Sequence, residues 1–176
     1  MRHILIVLSI CVVAIIMGIL LYVYGPSELR EVPVQSGASA ISADAAVDVP
    51  FSVLVSGTSA AAQPERKNFA VYGEEDFQRL WEQAYGEEAP VLPSVNFEEE
   101  YVIGVFAGER SSGGYAIAVS RVTDENAVRT VTIALTTPGP SCAVTQALTS
   151  PFQFVTVPLS DRTLARVDQE LEASCD

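Results

Sequence analysis

From Ile4 to Tyr24 the sequence is almost unbroken aliphatic and aromatic residues, and this run limits what the rest of the chain can be. At about 1.5 Å per residue, a helix over it is long enough to cross about 30 Å of hydrocarbon. A cleaved signal peptide has a shorter apolar stretch, about 7–15 residues, followed by a site of small residues. Here the run closes on Tyr22-Val23-Tyr24-Gly25-Pro26, tyrosines at an interface and no such site. Cys11 does not make a lipidation signal, because Ile10 precedes it where a small residue is required and more apolar sequence follows. The expectation is an uncleaved single-pass anchor over residues 4–24, with residues 1–25 forming a cytoplasmic stub and the span. Arg2 lies before the run and Glu28 and Glu31 lie after it, so the N-terminus is expected inside and the rest outside the cytoplasmic membrane.

The part beyond the run carries all 22 acidic residues of the 176-residue chain and every basic one except Arg2. Nucleic acid and anionic lipid headgroups are thereby disfavoured as partners, since both need Lys and Arg to displace counterions. Residues 26–50 are Ser, Ala, Pro and Val with scattered acids and no apolar period, and read as a flexible linker. Residues 51–176 remain for one extracytoplasmic domain. Of the three cysteines, Cys11 is in the span, and an even pair in an exported domain predicts a Cys142–Cys175 disulfide.

Within the domain, Phe51–Ser56 reads as a strand and 57–68 as an irregular segment. Glu74–Tyr85 is the best helix: Phe77, Leu80, Trp81, Ala84 and Tyr85 recur on one face, acids fill the first turn, and Gly86 follows. Trp81 belongs to the apolar stripe and so to a core. Tyr101–Ala107 is apolar on both faces, which suits a central strand. Tyr115–Val122 and Val128–Thr136 alternate, and Phe152–Val157 is bracketed by prolines. Residues 163–173 fit a helix through Leu164, Val167 and Leu171, or a strand through Val167, Gln169, Leu171 and Ala173. The fold class expected is α+β, a mostly antiparallel sheet packed on one helix.

Chemistry is limited by what is missing. The one histidine is His3, on the cytoplasmic side, so no imidazole is available outside for nucleophilic triads, general bases or the usual zinc and copper sites. No catalytic residue, metal or cofactor is expected. Gly108-Glu109-Arg110-Ser111-Ser112-Gly113-Gly114-Tyr115 lies between two strands and reads as a hairpin loop. It lacks the lysine, the hydroxyl and the following helix of a phosphate loop. Arg110 with two hydroxyls and glycine amides suits an anion or C-terminal carboxylate; equally, Arg110 could only pair with Glu109 or a neighbouring acid. Pro138-Gly-Pro-Ser-Cys142 is a stiff second loop, and Gln146 and Thr149 follow it, free to cap turns or to face a partner. If both loops fall at one end of the sheet they form a rigid rim. Candidate binding residues are Arg110, Ser111, Ser112, Gly113, Gly114, Tyr115 and Gln146.

The helix with Phe77-x-x-Leu80-Trp81, then Asn96-Phe97, Val102-Ile103-x-Val105-Phe106, Gly108-x-Arg110-Ser-Ser-Gly-Gly-Tyr115 and Pro138-Gly-Pro-Ser-Cys-Ala-Val-Thr-Gln146-x-Leu-Thr-x-Pro-Phe152 together resemble the C-terminal domain of the protease-complex subunit PrcB. The resemblance covers about residues 65–160 and departs from the usual pattern at Ser111, commonly Thr, and Asn96, commonly Asp. It implies an extracytoplasmic accessory domain with a protein or peptide partner, a protease among the candidates, and brings no catalytic residue. A weaker likeness links Ser112-Gly-Gly-Tyr115 to the Thr-Gly-Tyr loop of chagasin-type protease inhibitors, whose all-β fold has no place for the helix at 74–85. The expected role is therefore a membrane-anchored interaction module. The alternatives are a protease inhibitor wedging the Arg110–Tyr115 hairpin into its target and a hydrolase built on carboxylates such as Glu98, Glu99, Glu100 and Glu109.

Overall fold

A computed structural model describes residues 46–175. The expected membrane span, Cys11 and the linker up to residue 45 lie outside the described residues. Among those described, no helix is long and apolar enough to cross a membrane.

Eight strands and one helix follow in order: β1 (Val47–Asp48), β2 (Ser52–Gly57), β3 (Lys67–Val71), α1 (Glu74–Tyr85) with a short 3-10 turn after it, β4 (Glu100–Phe106), β5 (Ala116–Glu125), β6 (Val128–Pro138), β7 (Phe152–Pro158) and β8 (Thr163–Ala173). They form two four-stranded sheets, β2-β7-β4-β3 and β1-β5-β6-β8, rather than the single sheet the sequence suggested. Every pairing is antiparallel except β6 with β8. The class is α+β, as expected, with an extra layer.

The alternation of β4 accounts for the three layers. Tyr101, Ile103 and Val105 point between the sheets, where they meet Ile117, Val119, Val122, Val131, Ile133, Val155 and Val157. Val102 and Phe106 point the other way, onto Phe77, Leu80, Trp81 and Ala84 of α1 and Phe152 and Phe154 of β7. A strand apolar on both faces is thus central because it separates two cores. Trp81 is a core anchor, as its stripe position predicted, and its indole N–H donates to the Pro90 carbonyl at 2.8 Å. The rings of Phe77, Trp81, Phe106, Phe152 and Phe154 meet mostly edge to face, the geometry their quadrupoles favour.

Three sequence expectations need revision, and one left open between helix and strand is settled. Residues 57–68 are not irregular throughout, because Lys67 and Asn68 open β3 and pair with Phe106 and Val105. The fold reaches back into the stretch read as linker: Val47 and Asp48 pair with β5, and the Val49 amide donates to Val122 at 2.8 Å. Residues 163–173 are a strand, since β6 offers its free edge along their whole length. Finally, β4 and β5 are not a hairpin. β4 already has β3 and β7 on its two edges, so the chain after Phe106 crosses to the other sheet.

Candidate functional site

That crossing sets up one end of the sandwich. β4, β6 and β8 finish there, while β5 and β7 begin there, as their registers show. The connections 107–115 and 139–151 therefore do share an end. They are joined edge to edge. The Arg110 amide donates to the Thr149 carbonyl at 2.7 Å, and the Thr149 amide returns a bond to the Arg110 carbonyl at 3.0 Å. The Gly113 amide donates to Thr145 at 2.9 Å, and the Thr149 hydroxyl to the Ser112 carbonyl at 2.8 Å.

The two glycines exist for this junction. Gly114 has φ of 86°, and a Cβ there would lie 2.9 Å from both Pro138 and Val144. A Cβ on Gly113 would lie 2.5 Å from the Thr145 hydroxyl. Any side chain would separate the loops. The second loop is held from the other side by the Cys142–Cys175 disulfide, with Cα atoms 5.0 Å apart, and by the Gly139 amide donating to Ala173 at 3.1 Å. The segment before β3 completes the rim: the Ser150 hydroxyl donates to the Gln63 carbonyl at 3.1 Å, and the Glu109 amide to Pro64 at 2.9 Å.

The sequence-derived candidates divide on this geometry. Arg110 is half-buried; its Nη2 donates to the Ala107 carbonyl at 2.8 Å and its guanidinium carbon lies 5.5 Å from the centre of the Tyr115 ring, a cation–π contact. Ser112 donates to its neighbour's carbonyl at 3.2 Å. The Gly113 amide, assigned above to an anion, is already used by Thr145. Gly114, Ser111 and Gln146 are exposed, Tyr115 is half-buried, and Leu148, which sequence reasoning passed over, is 66% exposed. The rim thus presents Ser111, Gln146 and Leu148 outward over a locked backbone, and the segment 107–115 bridges the two sheets rather than closing a hairpin.

At the far end lies a charge network that the sequence reading also passed over. Arg129 is 4% exposed and clasps Asp124 with two bonds, 2.8 and 2.9 Å. It also donates to the Pro158 carbonyl of the other sheet, and Arg162 approaches Asp124 at 3.1 Å. Hydrogen bonding from Arg129 and the nearby cations hold the Asp124 carboxyl below its ordinary pKa, against the effect of burial. Burial pushes the Tyr101 phenol up to about 12, with the Arg129 cation opposing; its hydroxyl makes no hydrogen bond of regular geometry among the described residues. The signal was available: Arg129 is in phase with Val131 and Ile133, the inward face of β6.

Among the described residues no group of three or more His, Cys, Asp and Glu side chains is placed to hold a metal ion. The segment that carries both rim loops, from β4 through β7, is also the part of the chain with a family likeness. Residues 101–158 match the PrcB C-terminal family. The match covers about a third of the chain, and β2, β3, α1 and β8 lie outside it. No curated protein and no solved structure matches the chain.

Proposed function

We propose that this domain is a non-catalytic protein-recognition module, held outside the cytoplasmic membrane by residues 4–24, that docks its rim on a partner in a protease complex. The observation that carries the reading is the junction of loops 107–115 and 139–151, which fixes an exposed Leu148 and the polar Ser111 and Gln146 on an ordered backbone. A surface ordered before binding loses little conformational entropy on association. An exposed aliphatic residue on a loop that also exposes polar side chains supports an interface with an apolar contact and a polar surround. The family match supports the same direction, because PrcB is named for a subunit of a protease complex. The disulfide and the apolar run at 4–24 support an extracytoplasmic position.

The test is cross-linking in the native envelope with the full-length chain and with a Gln146→Arg plus Leu148→Glu variant of equal melting temperature. The expected result is a protease-containing cross-linked species that the variant loses. A species retained in full by the variant would remove the rim from the reading. Protease accessibility of the domain in intact cells and in spheroplasts checks the topology.

A further inference from the structure

The end of the sandwich opposite the rim gathers exposed apolar side chains around the Arg129–Asp124 clasp. β5 and β7 finish there, and the registers place Val47 of β1 opposite Asp124 and Asp124 opposite Arg129. Residues directly opposite each other carry their side chains on the same face of a sheet. Val47, 63% exposed, thus belongs to the row that holds the clasp. In the other sheet Arg129 donates to the Pro158 carbonyl, and the next residue, Leu159, is 41% exposed. β4 starts beside it, with Glu100 opposite Pro158. Across β4, Tyr72 is 49% exposed and stacks on buried Tyr101, ring centres 5.0 Å apart. Between outer strand axes, the end of such a sandwich measures about 15 by 10 Å. Val47, Tyr72 and Leu159 therefore share one small face.

Charge around that face has one sign. Glu125 follows Asp124, Asp161 lies just beyond Leu159, and Glu74 opens α1 two residues after Tyr72. The Glu99 carbonyl accepts from the Leu159 amide at 2.8 Å. All four residues are exposed, and none makes an ion pair among the described residues. The nearby cations are already engaged: Arg129 and Arg162 by Asp124, Arg79 by Glu75 and Asp76. An exposed apolar patch within a polar surround marks an interaction site, and the sign of the surround selects the partner. A second copy of the chain would bring the same carboxylates against these, and anionic headgroups would be repelled likewise.

We propose that Val47, Tyr72 and Leu159 form a second protein-docking surface, whose partner presents apolar side chains ringed by Lys and Arg. Arg129, 4% exposed and bonded to both sheets, fixes the backbone beneath the patch before binding, so association orders little chain. Tyr72 supplies the aromatic anchor that such interfaces favour. The surface lies at the opposite end from Ser111, Gln146 and Leu148, so a partner here leaves the rim free and the domain can link two proteins. The docking surface itself does not rest on the rim reading.

The experiment puts the photo-cross-linking residue benzoylphenylalanine in place of Tyr72 and, separately, of Leu159 in the full-length chain in its native envelope. Val91, 93% exposed and beside the Pro90 that accepts from Trp81, is the control position. Adducts are identified by mass spectrometry down to the joined peptide. One protein species is expected from Tyr72 and Leu159 but not from Val91, joined through a segment with Lys or Arg beside apolar residues. Glu125→Lys plus Asp161→Lys, at exposed positions, should lower its yield about tenfold with an unchanged melting temperature. Should the lysines disturb the fold, Glu125→Gln plus Asp161→Gln gives a smaller loss in the same direction. Adducts to lipid or to a second copy, a partner segment without basic residues, or a species reached equally from Val91 would each overturn the proposal. So would an undiminished yield in the charge variants, or no adduct at all. Leu148→Glu should remove rim cross-links and leave these, so the two surfaces fail separately.

Discussion

Replacing Arg129 by Met tests the reasoning about the far end of the sandwich most directly. The arginine side chain is 5% exposed and its partner Asp124 16%, so both charges are largely out of water. The substitution removes two carboxylate bonds and the bond to the Pro158 carbonyl, while filling much of the same volume. Asp124 is then left with Arg162 alone, at 3.1 Å. Breaking a buried pair on one side costs about 3–5 kcal/mol; Arg162 and the position near the sheet end place this case at about 3. For a domain of this size that is a fall in Tm of about 10 °C. Thermal melts followed by circular dichroism and by Trp81 fluorescence give the value. The double variant Arg129→Met with Asp124→Leu should recover most of it, because removing both charges also removes both desolvation costs. The pH dependence has a definite sign. Asp124 has a lowered folded pKa, so its contribution is complete above the ordinary carboxylate value of 3.8 and is lost as pH falls through the folded value. The gap between wild type and Arg129→Met should therefore narrow in acid. A loss below about 1 kcal/mol at neutral pH, or a gap that widens in acid, would refute the account of a desolvated, mutually dependent pair.

Other outcomes follow from the rim. Opening the disulfide with Cys142→Ser plus Cys175→Ser releases a crosslink between residues 33 apart, and chain entropy puts the loss at roughly 3.5 kcal/mol by chemical denaturation. Gly114→Ala forces a side chain into φ of 86° against Pro138 and Val144, and should cost about 2 kcal/mol while speeding exchange of the Gly113 amide proton. Leu148→Glu, at an exposed position, should leave stability within about 0.5 kcal/mol and alter only partner binding.

The helix and the central strand were legible because each carries a local signal. Phe77, Leu80, Trp81 and Ala84 repeat with the helical period, and α1 occupies the same residues that the period marked. The double-faced β4 announced burial on both sides without saying what covered either one. Partner choice was the part that local signals could not reach. Consecutive strands usually pair, which is why Gly108–Tyr115 read as a hairpin. Whether β4 has an edge to spare depends on β3 and β7, strands distant in sequence. Asn68 was hidden for a related reason: its short strand, β3, pairs with β4 across α1, and no period shows in five residues.

The sequence by itself settled the helix, most of the strands, the disulfide, the acidic and histidine-free character of residues 26–176, and the resemblance later matched at residues 101–158. These are properties of single residues, of fixed spacings, or of a cysteine pair with no third candidate in the domain. Only the tertiary structure decided that there are two sheets, that the glycine loop bridges them, and that its glycines serve the contact with Thr145 and Val144. Such facts depend on which distant edges remain free to pair and which polar atoms are left over once they have. Hydrogen-bond matching is completed over the whole chain at once, and no local stretch of residues carries its result.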